Sequence, residues 1–251
     1  MAGNAGNPFH VVYTTESANA KLPFLCVLPD GGKYFGCNIL QGFKEQGGVL
    51  EFAPSGVQPA NLYFHLSNFS ADNRLVIFAG SEFGKAQIFA YDVGSRQINV
   101  LTTGDGVSSW TACPHPTKAD LLYYLRGPHA YERDLSTKKD RFIGEIPSPR
   151  IGGSQQPTLS QDGQSLTMPK QRDAGYWEIG MMDIASGTWR TVITQWFCIG
   201  HVQHHPKLPI IFYVWETGGY APQRTWLVND DGSANRPFYF TADPKQWITP
   251  L

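Results

Sequence analysis

A short row of polar side chains in the C-terminal part of the chain has the residue types and the spacing that metal binding requires. His201, Gln203 and His205 alternate along one stretch of the sequence. If that stretch is a β-strand, alternate residues share one side of it, and these three side chains would face the same space. Imidazole and amide groups in such a row can bind a transition metal. The structural alternative is that His204 or His205 packs beside Pro206 as a partly buried turn residue.

A second candidate feature is a set of basic side chains, of which one or two fall in each repeat of a strand pattern. They are Lys21, Lys85, Arg126 with His129, Lys170 with Arg172, and Arg224. If the loops that carry them lie on one face, these cations form a ring that could hold a polyanion. The alternative is that exposed turns carry solvated charges. The acidic residues on the same loops reduce the positive field, and they are Glu82, Asp173 and Glu216.

The elements that must position these residues are short strands that repeat about every forty-five residues. The clearest marker is the first apolar residue of the second strand in each repeat, which falls at Leu75, Leu121, Leu166 and Ile210. A repeat of this length made only of strands predicts the four-stranded blades of a β-propeller. One blade cannot bury both of its faces alone, so the blades are expected to pack in a ring around a channel.

The strand pattern predicts four full blades, which span residues 61–102, 110–146, 157–195 and 200–241. The Gly-rich segment 41–59 has a weak pattern and is predicted to be the loop into the first of them.

The two ends of the chain predict a fifth blade. Residues 10–40 read as the second, third and fourth strands of a blade, and residues 245–251 read as a lone first strand. Because open sheet edges invite aggregation, we expect the tail to complete the N-terminal blade. The whole chain, residues 1–251, would then form a single domain, a closed ring of five blades. The alternative is that the chain is part of a larger propeller.

The composition is that of a packed and nearly neutral domain. The chain has 251 residues, with 20 lysines and arginines against 21 aspartates and glutamates. This balance gives no electrostatic case for nucleic acid binding, and no apolar run is long enough to span a membrane. The N-terminal residues show no apolar signal segment, so a cytoplasmic monomer is expected. The four cysteines lack metal-binding spacing and are expected to be reduced.

Three stretches of the chain resemble the oligogalacturonate lyases, seven-bladed propeller enzymes that degrade short pectin fragments. They are FSADNRLVIFAG at 69–80, GHVQ at 200–203 and ETGGYAPQRTWLVNDDG at 216–232. The most specific parts are QRTW and NDDG in the last stretch, whereas the first stretch is shared with TolB-like propellers. The resemblance covers about residues 61–249 and implies β-elimination on oligogalacturonate or a related uronate oligomer.

The resemblance also implies roles for particular residues. It places His201 as the base and Arg224 as the group that binds the acidic groups of the substrate. Histidine suits proton abstraction near neutral pH, and positive charge stabilises the enediolate that forms. With these two as the predicted catalytic residues, the predicted substrate-binding residues are Lys85, Arg126, Arg172, Gln203, Gln223 and Tyr220. Trp215 and Tyr220 border the Arg224 loop, where either could stack on a sugar ring.

The resemblance further implies manganese as a cofactor. The remaining metal ligands of the family lie in blades beyond the position that matches Thr249, so they are not carried over to this chain. His201, Gln203 and His205 are the weak candidates for metal ligands that the chain itself offers.

Two other functions are compatible with the sequence. A non-catalytic propeller that had lost the family's metal site could bind an anionic ligand or a protein partner through its cationic mouth. A TolB-like interaction propeller is the other alternative, and a periplasmic signal would be expected for it.

Overall fold

The computed structural model of the chain describes residues 68–82, 84–95, 97–147, 157–173, 175–216 and 221–239, and the backbone of six short strands nearer the N-terminus. All regular secondary structure in these residues is β-strand, which confirms the all-β prediction. Within the part of the chain that the structure describes, there is no helix that could cross a membrane.

The strands follow one another as antiparallel meanders. The first sheet contains β1 (His10–Tyr13), β2 (Phe24–Val27) and β3 (Lys33–Gly36), and a two-stranded hairpin follows with β4 (Phe43–Glu45) and β5 (Gly48–Leu50). Blade 1 contains β6 (Val57–Ala60), β7 (Leu75–Glu82), β8 (Lys85–Asp92) and β9 (Gln97–Val100). Blade 2 contains β10 (Val107–Pro114), β11 (Leu121–Arg126), β12 (His129–Asp134) and β13 (Lys139–Glu145).

The next two blades repeat this order. Blade 3 contains β14 (Thr158–Leu159), β15 (Ser165–Asp173), β16 (Tyr176–Asp183) and β17 (Trp189–Gln195). Blade 4 contains β18 (Ile199–His204), β19 (Ile210–Trp215), β20 (Thr225–Asn229) and β21 (Arg236–Pro237). In every blade the four strands pair in sequence order. The described residues therefore form four blades of a β-propeller.

The segment predicted to be a loop, residues 41–59, contains regular structure instead. It holds the β4–β5 hairpin and most of β6, which is the first strand of blade 1. Strand β6 pairs with the far end of β7, from Ala79 to Glu82, while Phe69 makes an isolated bridge to Val76. The first strand of blade 1 thus begins before residue 61. The sequence concealed it because it is short and contains Pro59, which cannot donate to a ladder.

Apolar clusters join the four blades in succession. Each cluster takes buried side chains from two neighbouring blades, so the blades pack face to face as the repeat pattern requires. The first cluster contains Ile88 and Tyr124, the second Leu125 and Met168, and the third Ile179 and Tyr213. Truncating one such side chain to alanine would cost about 2–5 kcal/mol of unfolding free energy.

One end of the blades, which we call the upper end, carries the loops between second and third strands together with the connections between blades. Gly127 after β11 donates its backbone N–H to Gly106 O before β10 (3.1 Å), and Glu216 after β19 donates to Cys198 O before β18 (2.8 Å). The loops between first and second strands lie at the opposite, lower end. In blades 1 to 4 the loops that carry the predicted cations therefore share one end of the fold, whereas Lys21 lies outside the described residues.

The closure of the ring stays a prediction. Residues 245–251, which were expected to complete the N-terminal blade, lie outside the described residues, as does Tyr220. The sheet of β1, β2 and β3 supplies the three strands expected of that blade.

Candidate functional site

Two residues singled out from the sequence meet at one carboxylate at the upper end of blade 4. His201 Nε2 lies 3.1 Å from Glu216 Oε2, and Arg224 Nη2 lies 3.6 Å from Glu216 Oε1. His201 is on the first strand, Glu216 follows the second, and Arg224 precedes the third. The meander therefore brings together residues that lie 23 positions apart in the sequence.

A β-bulge gives His201 its position. The register between β18 and β19 shifts between Gly200 and Gln203, and His201 has a positive φ of 49°. Residues with positive φ are uncommon outside glycine, although histidine is among the more tolerant types, and bulges are used to redirect side chains near functional sites. Position 200 requires glycine for a separate reason, because a Cβ added there would lie 2.5 Å from Glu216 Oε2. The Glu216 carboxylate occupies the space that a larger residue would fill.

The surroundings of this site shift the pKa of two groups, the Glu216 carboxyl and the Cys198 thiol. The pKa of Glu216 is lowered, first by its hydrogen bond with His201, with the charges of His201 and Arg224 adding to the effect against the opposing influence of burial. The pKa of the neighbouring thiol, Cys198, is raised by burial and then by the charge of Glu216. Glu216 is therefore ionised at neutral pH. Its negative charge lies between the His201 imidazole and the Arg224 guanidinium.

Arg224 is held firmly beneath this site. Its side chain is 5% exposed, and Nη1 donates to Trp215 O at 3.1 Å. A buried guanidinium requires a counter-charge, which Glu216 supplies. The predicted role of Arg224 as an anchor for a substrate carboxylate stays a prediction, and the contacts show that it also fixes Glu216.

The predicted row of metal ligands is not brought together. The bulge at His201 interrupts the alternation that would have placed it on one side with Gln203. His205 lies at the lower end, where its Nδ1 accepts hydrogen bonds from the backbone N–H groups of Lys207 and Leu208, each at 3.0 Å. His205 is therefore a turn residue, as the structural alternative described, but it is exposed and not partly buried.

The described residues do not fit a manganese ion. No three side chains of histidine, cysteine, aspartate or glutamate in them converge on a point that could hold a metal. At Glu216 the Arg224 guanidinium already occupies the position of a counter-cation, and it would repel a second one. No metal-dependent step is therefore derived from these residues.

Three predicted cations lie at the upper end, of which Lys85 and Arg172 are exposed and Arg126 is half-buried. Lys85 pairs with Asp105 at 2.8 Å, and this contact lowers the pKa of the Asp105 carboxyl. Arg126 donates from Nη2 to Thr103 O at 3.0 Å and lies over the ring of Tyr131, with 5.6 Å between Cζ and the ring centroid. Arg172 near the end of β15 is exposed.

Lys170 differs from the other basic residues of the proposed ring. It is buried, lies 3.0 Å from Glu178 Oε1 and donates to Pro147 O at 2.8 Å. Its ammonium group also lies 5.3 Å from the ring centroid of Trp189. The expectation that it forms part of an exposed ring is wrong, because β15 extends through Asp173 and keeps Lys170 inside the sheet.

The two predicted substrate-binding glutamines are placed differently. The Gln223 amide donates to Thr225 O at 2.8 Å and to Tyr239 O at 2.7 Å, so it braces the backbone around β20. Gln203 lies beside His204 in the lining of a cavity at the lower end of blades 2, 3 and 4, with a volume of about 470 Å³. Among the described residues, neither glutamine side chain forms a hydrogen bond with Glu216, and the roles of both in substrate binding stay predictions.

An aromatic cluster borders the site, and sequence reasoning missed its most exposed member. Trp215 stacks on Phe197, with ring centroids 4.6 Å apart and an interplanar angle of 16°. Trp196 packs against both and is 62% exposed. Alternating apolar residues in a strand would have signalled burial, but Trp196 lies in the connection after β17, where the sequence carries no such signal.

No family model matches the chain, and the comparison with curated proteins finds a distant relative. An oligogalacturonide lyase from Pectobacterium atrosepticum is 22% identical over 208 residues, which are 75% of this chain and 53% of that protein. The chain therefore spans about half the length of the curated relative that it matches.

Solved structures show the same fold. An oligogalacturonate lyase in complex with manganese superposes with a TM-score of 0.69 at 17% identity, over 97% of this chain and 63% of that one. An oligogalacturonate lyase from Vibrio parahaemolyticus gives a TM-score of 0.69 at 18% identity, over 80% and 59% of the two chains. TolB from Acinetobacter baumannii gives 0.56 at 12% identity, over 89% and 50%. The resemblance predicted from the sequence is confirmed, and the fold is an all-β propeller.

Proposed function

We propose that the chain acts on oligogalacturonate or a related acidic uronate oligomer by β-elimination, as a lyase of the pectin-degrading type. The observation that carries this proposal is the meeting of His201 and Arg224 at the carboxylate of Glu216. The curated relative is an oligogalacturonide lyase and two of the similar solved structures are oligogalacturonate lyases, and the proposal is consistent with them.

The contact between His201 and Glu216 supplies a base of suitable geometry. The His201 imidazole would remove the proton next to the uronate carboxylate, and its contact with Glu216, 3.1 Å from Nε2 to Oε2, holds the ring in place. The imidazolium that forms lies beside an ionised carboxylate, which stabilises its positive charge. Glu216 thus holds the ring and favours the protonated product of the step.

The surrounding positive charge suits the other half of the reaction. Proton removal places negative charge on the substrate carboxylate as an enediolate, and nearby cations stabilise it. The exposed Lys85 and Arg172 and the half-buried Arg126, all at the upper end, would attract the remaining uronate groups. Because these side chains contact solvent and acidic neighbours, dissolved salt should screen and weaken this attraction.

The test is to follow formation of the unsaturated product by ultraviolet absorbance, using trigalacturonate with and without added manganese. The informative variant is H201N, because asparagine tolerates the positive φ of this position while losing the base. We expect product formation to fall about 100-fold with little change in trigalacturonate affinity.

A matched control is K138N, which makes the same replacement at another position of positive φ (59°), in the β12–β13 turn. It should leave the rate unchanged. If the unaltered chain binds trigalacturonate but forms no product under either condition, the lyase proposal fails and a binding propeller remains. Equal rates for H201N and the unaltered chain would exclude His201 as the base.

A further inference from the structure

We propose that Trp196 is the sugar-stacking platform of this site and holds one pyranose ring of the acidic oligosaccharide beside Glu216. The proposal rests on the proposed function, since it takes a uronate oligomer as the ligand. Tyr220 and Trp215 were the rings expected from the sequence; Tyr220 lies outside the described residues, and one face of Trp215 is covered by Phe197 at 4.6 Å and 16°. Trp196 is the member of this cluster that remains 62% exposed.

The surroundings of Trp196 fix its orientation. It stands nearly perpendicular to Trp215, with ring centroids 4.7 Å apart and an angle of 78°, and to Phe197, at 5.5 Å and 85°. Phe197 is itself buried, with 6% exposure, and also contacts Trp226. A rigid ring that is already ordered loses little conformational entropy when a ligand stacks on it.

Trp196 is also joined to the charged residues by short connections. Trp215, which it contacts, accepts a hydrogen bond from Arg224 through its backbone oxygen and directly precedes Glu216. Two residues after Trp196, Cys198 O accepts from Glu216 N at 2.8 Å. Trp196 is thus connected to Glu216 by a ring contact with Trp215 and by the short segment that leads to Cys198.

A uronate ring matches this combination of groups. Its C–H groups form an apolar face that can cover an indole, while its carboxylate is directed to cations at the edge. An exposed tryptophan alone could serve many ligands, but its contact with Trp215, which directly precedes Glu216, at the end of the fold that carries Lys85 and Arg172, favours an acidic sugar.

The experiment is isothermal titration calorimetry with trigalacturonate at low and at high salt. We compare the unaltered chain with W196A, W196F and the control F142A, which removes another exposed aromatic residue (53%) on the outer strand β13. W196A should raise Kd about 10-fold at both salt concentrations, because stacking depends on apolar contact and is not screened. W196F should lose less, and F142A should bind as the unaltered chain does.

The outcomes separate this proposal from the function on which it rests. Binding by the unaltered chain with the same Kd for W196A overturns the stacking role and leaves the proposed function intact. A loss that appears only at low salt also overturns it, since that result indicates an electrostatic effect. Absence of trigalacturonate binding by the unaltered chain overturns the proposed function itself. Thermal unfolding of each variant shows whether it is folded. If W196A does not fold, W196F tests the stacking role.

Discussion

Replacing Glu216 by glutamine tests whether one carboxylate organises the site. The substitution keeps the shape of the side chain and removes its charge. His201 at 3.1 Å then loses the group that stabilises its protonated form, and Arg224 at 3.6 Å loses its counter-charge. Both effects come from the loss of one carboxylate, so this single variant should change catalysis and stability together.

The stability change can be bounded from the burial of the two partners. Removing one member of a fully buried ion pair costs about 3–5 kcal/mol. Arg224 is buried, with 5% of its side chain exposed, but 34% of the Glu216 side chain is exposed. Solvent screening therefore reduces the expected loss of unfolding free energy for E216Q to about 1–2 kcal/mol. Product formation should fall about 100-fold, by analogy with loss of an orienting carboxylate.

The same carboxylate predicts a dependence of stability on pH. Its folded pKa is lowered from the ordinary value of 4.5, chiefly by the hydrogen bond with His201. The stabilisation is present above the unfolded pKa and is lost as the pH falls through the lower folded value. Below pH 4.5 the unaltered chain should therefore lose unfolding free energy that E216Q has already lost, and the two stabilities should approach each other.

Urea unfolding between acid and neutral pH measures the stability, and ultraviolet absorbance measures the product. D162N is the control, because it removes an aspartate with a lowered pKa at the lower end, in the lining of the cavity there. It should leave the rate of elimination unchanged. If E216Q retains both the rate and the neutral-pH stability of the unaltered chain, Glu216 does not organise the site.

Three further substitutions test other parts of the structure. G200A places a Cβ 2.5 Å from Glu216 Oε2 and should slow product formation about 100-fold by displacing that carboxylate; a normal rate would contradict the geometry. K170M leaves Glu178 buried without its partner and should lower the unfolding free energy in urea by about 3–5 kcal/mol, whereas a surface role for Lys170 predicts no change. K85M should weaken trigalacturonate binding in calorimetry at low salt only, without changing stability, and an equal loss at high salt would exclude an electrostatic role.

The strand pattern and its repeat length could be predicted from the sequence because they follow from local chemistry. Alternating apolar residues specify strands, and turns such as Ser160 to Gly163 specify hairpins through side-chain hydrogen bonds to the backbone. Strand β6 was missed because it is short and contains Pro59. The number of blades in the closed ring depends on the ends of the chain, and it stays a prediction.

Only part of the candidate site could be predicted from the sequence. His201 and Arg224 were identified from their residue types and the resemblance, but Glu216 was treated only as a charge that weakened the cationic loops. Its role depends on a bulge that redirects His201 and on a glycine that leaves room for the carboxylate. Neither the bulge nor the contact between three separate strand ends has a signal in the sequence.

The sequence by itself determined the class of fold, the repeat and the residues that could carry chemistry, because hydrophobic period and turn composition act over a few neighbouring residues. Only the tertiary structure decided which of those residues meet. Exposure and ion pairing depend on how blades and loops pack: Lys170 is buried against Glu178, Trp215 is covered by Phe197, and Trp196 remains exposed. These distinctions arise from contacts between segments far apart in the chain, which a local pattern does not specify.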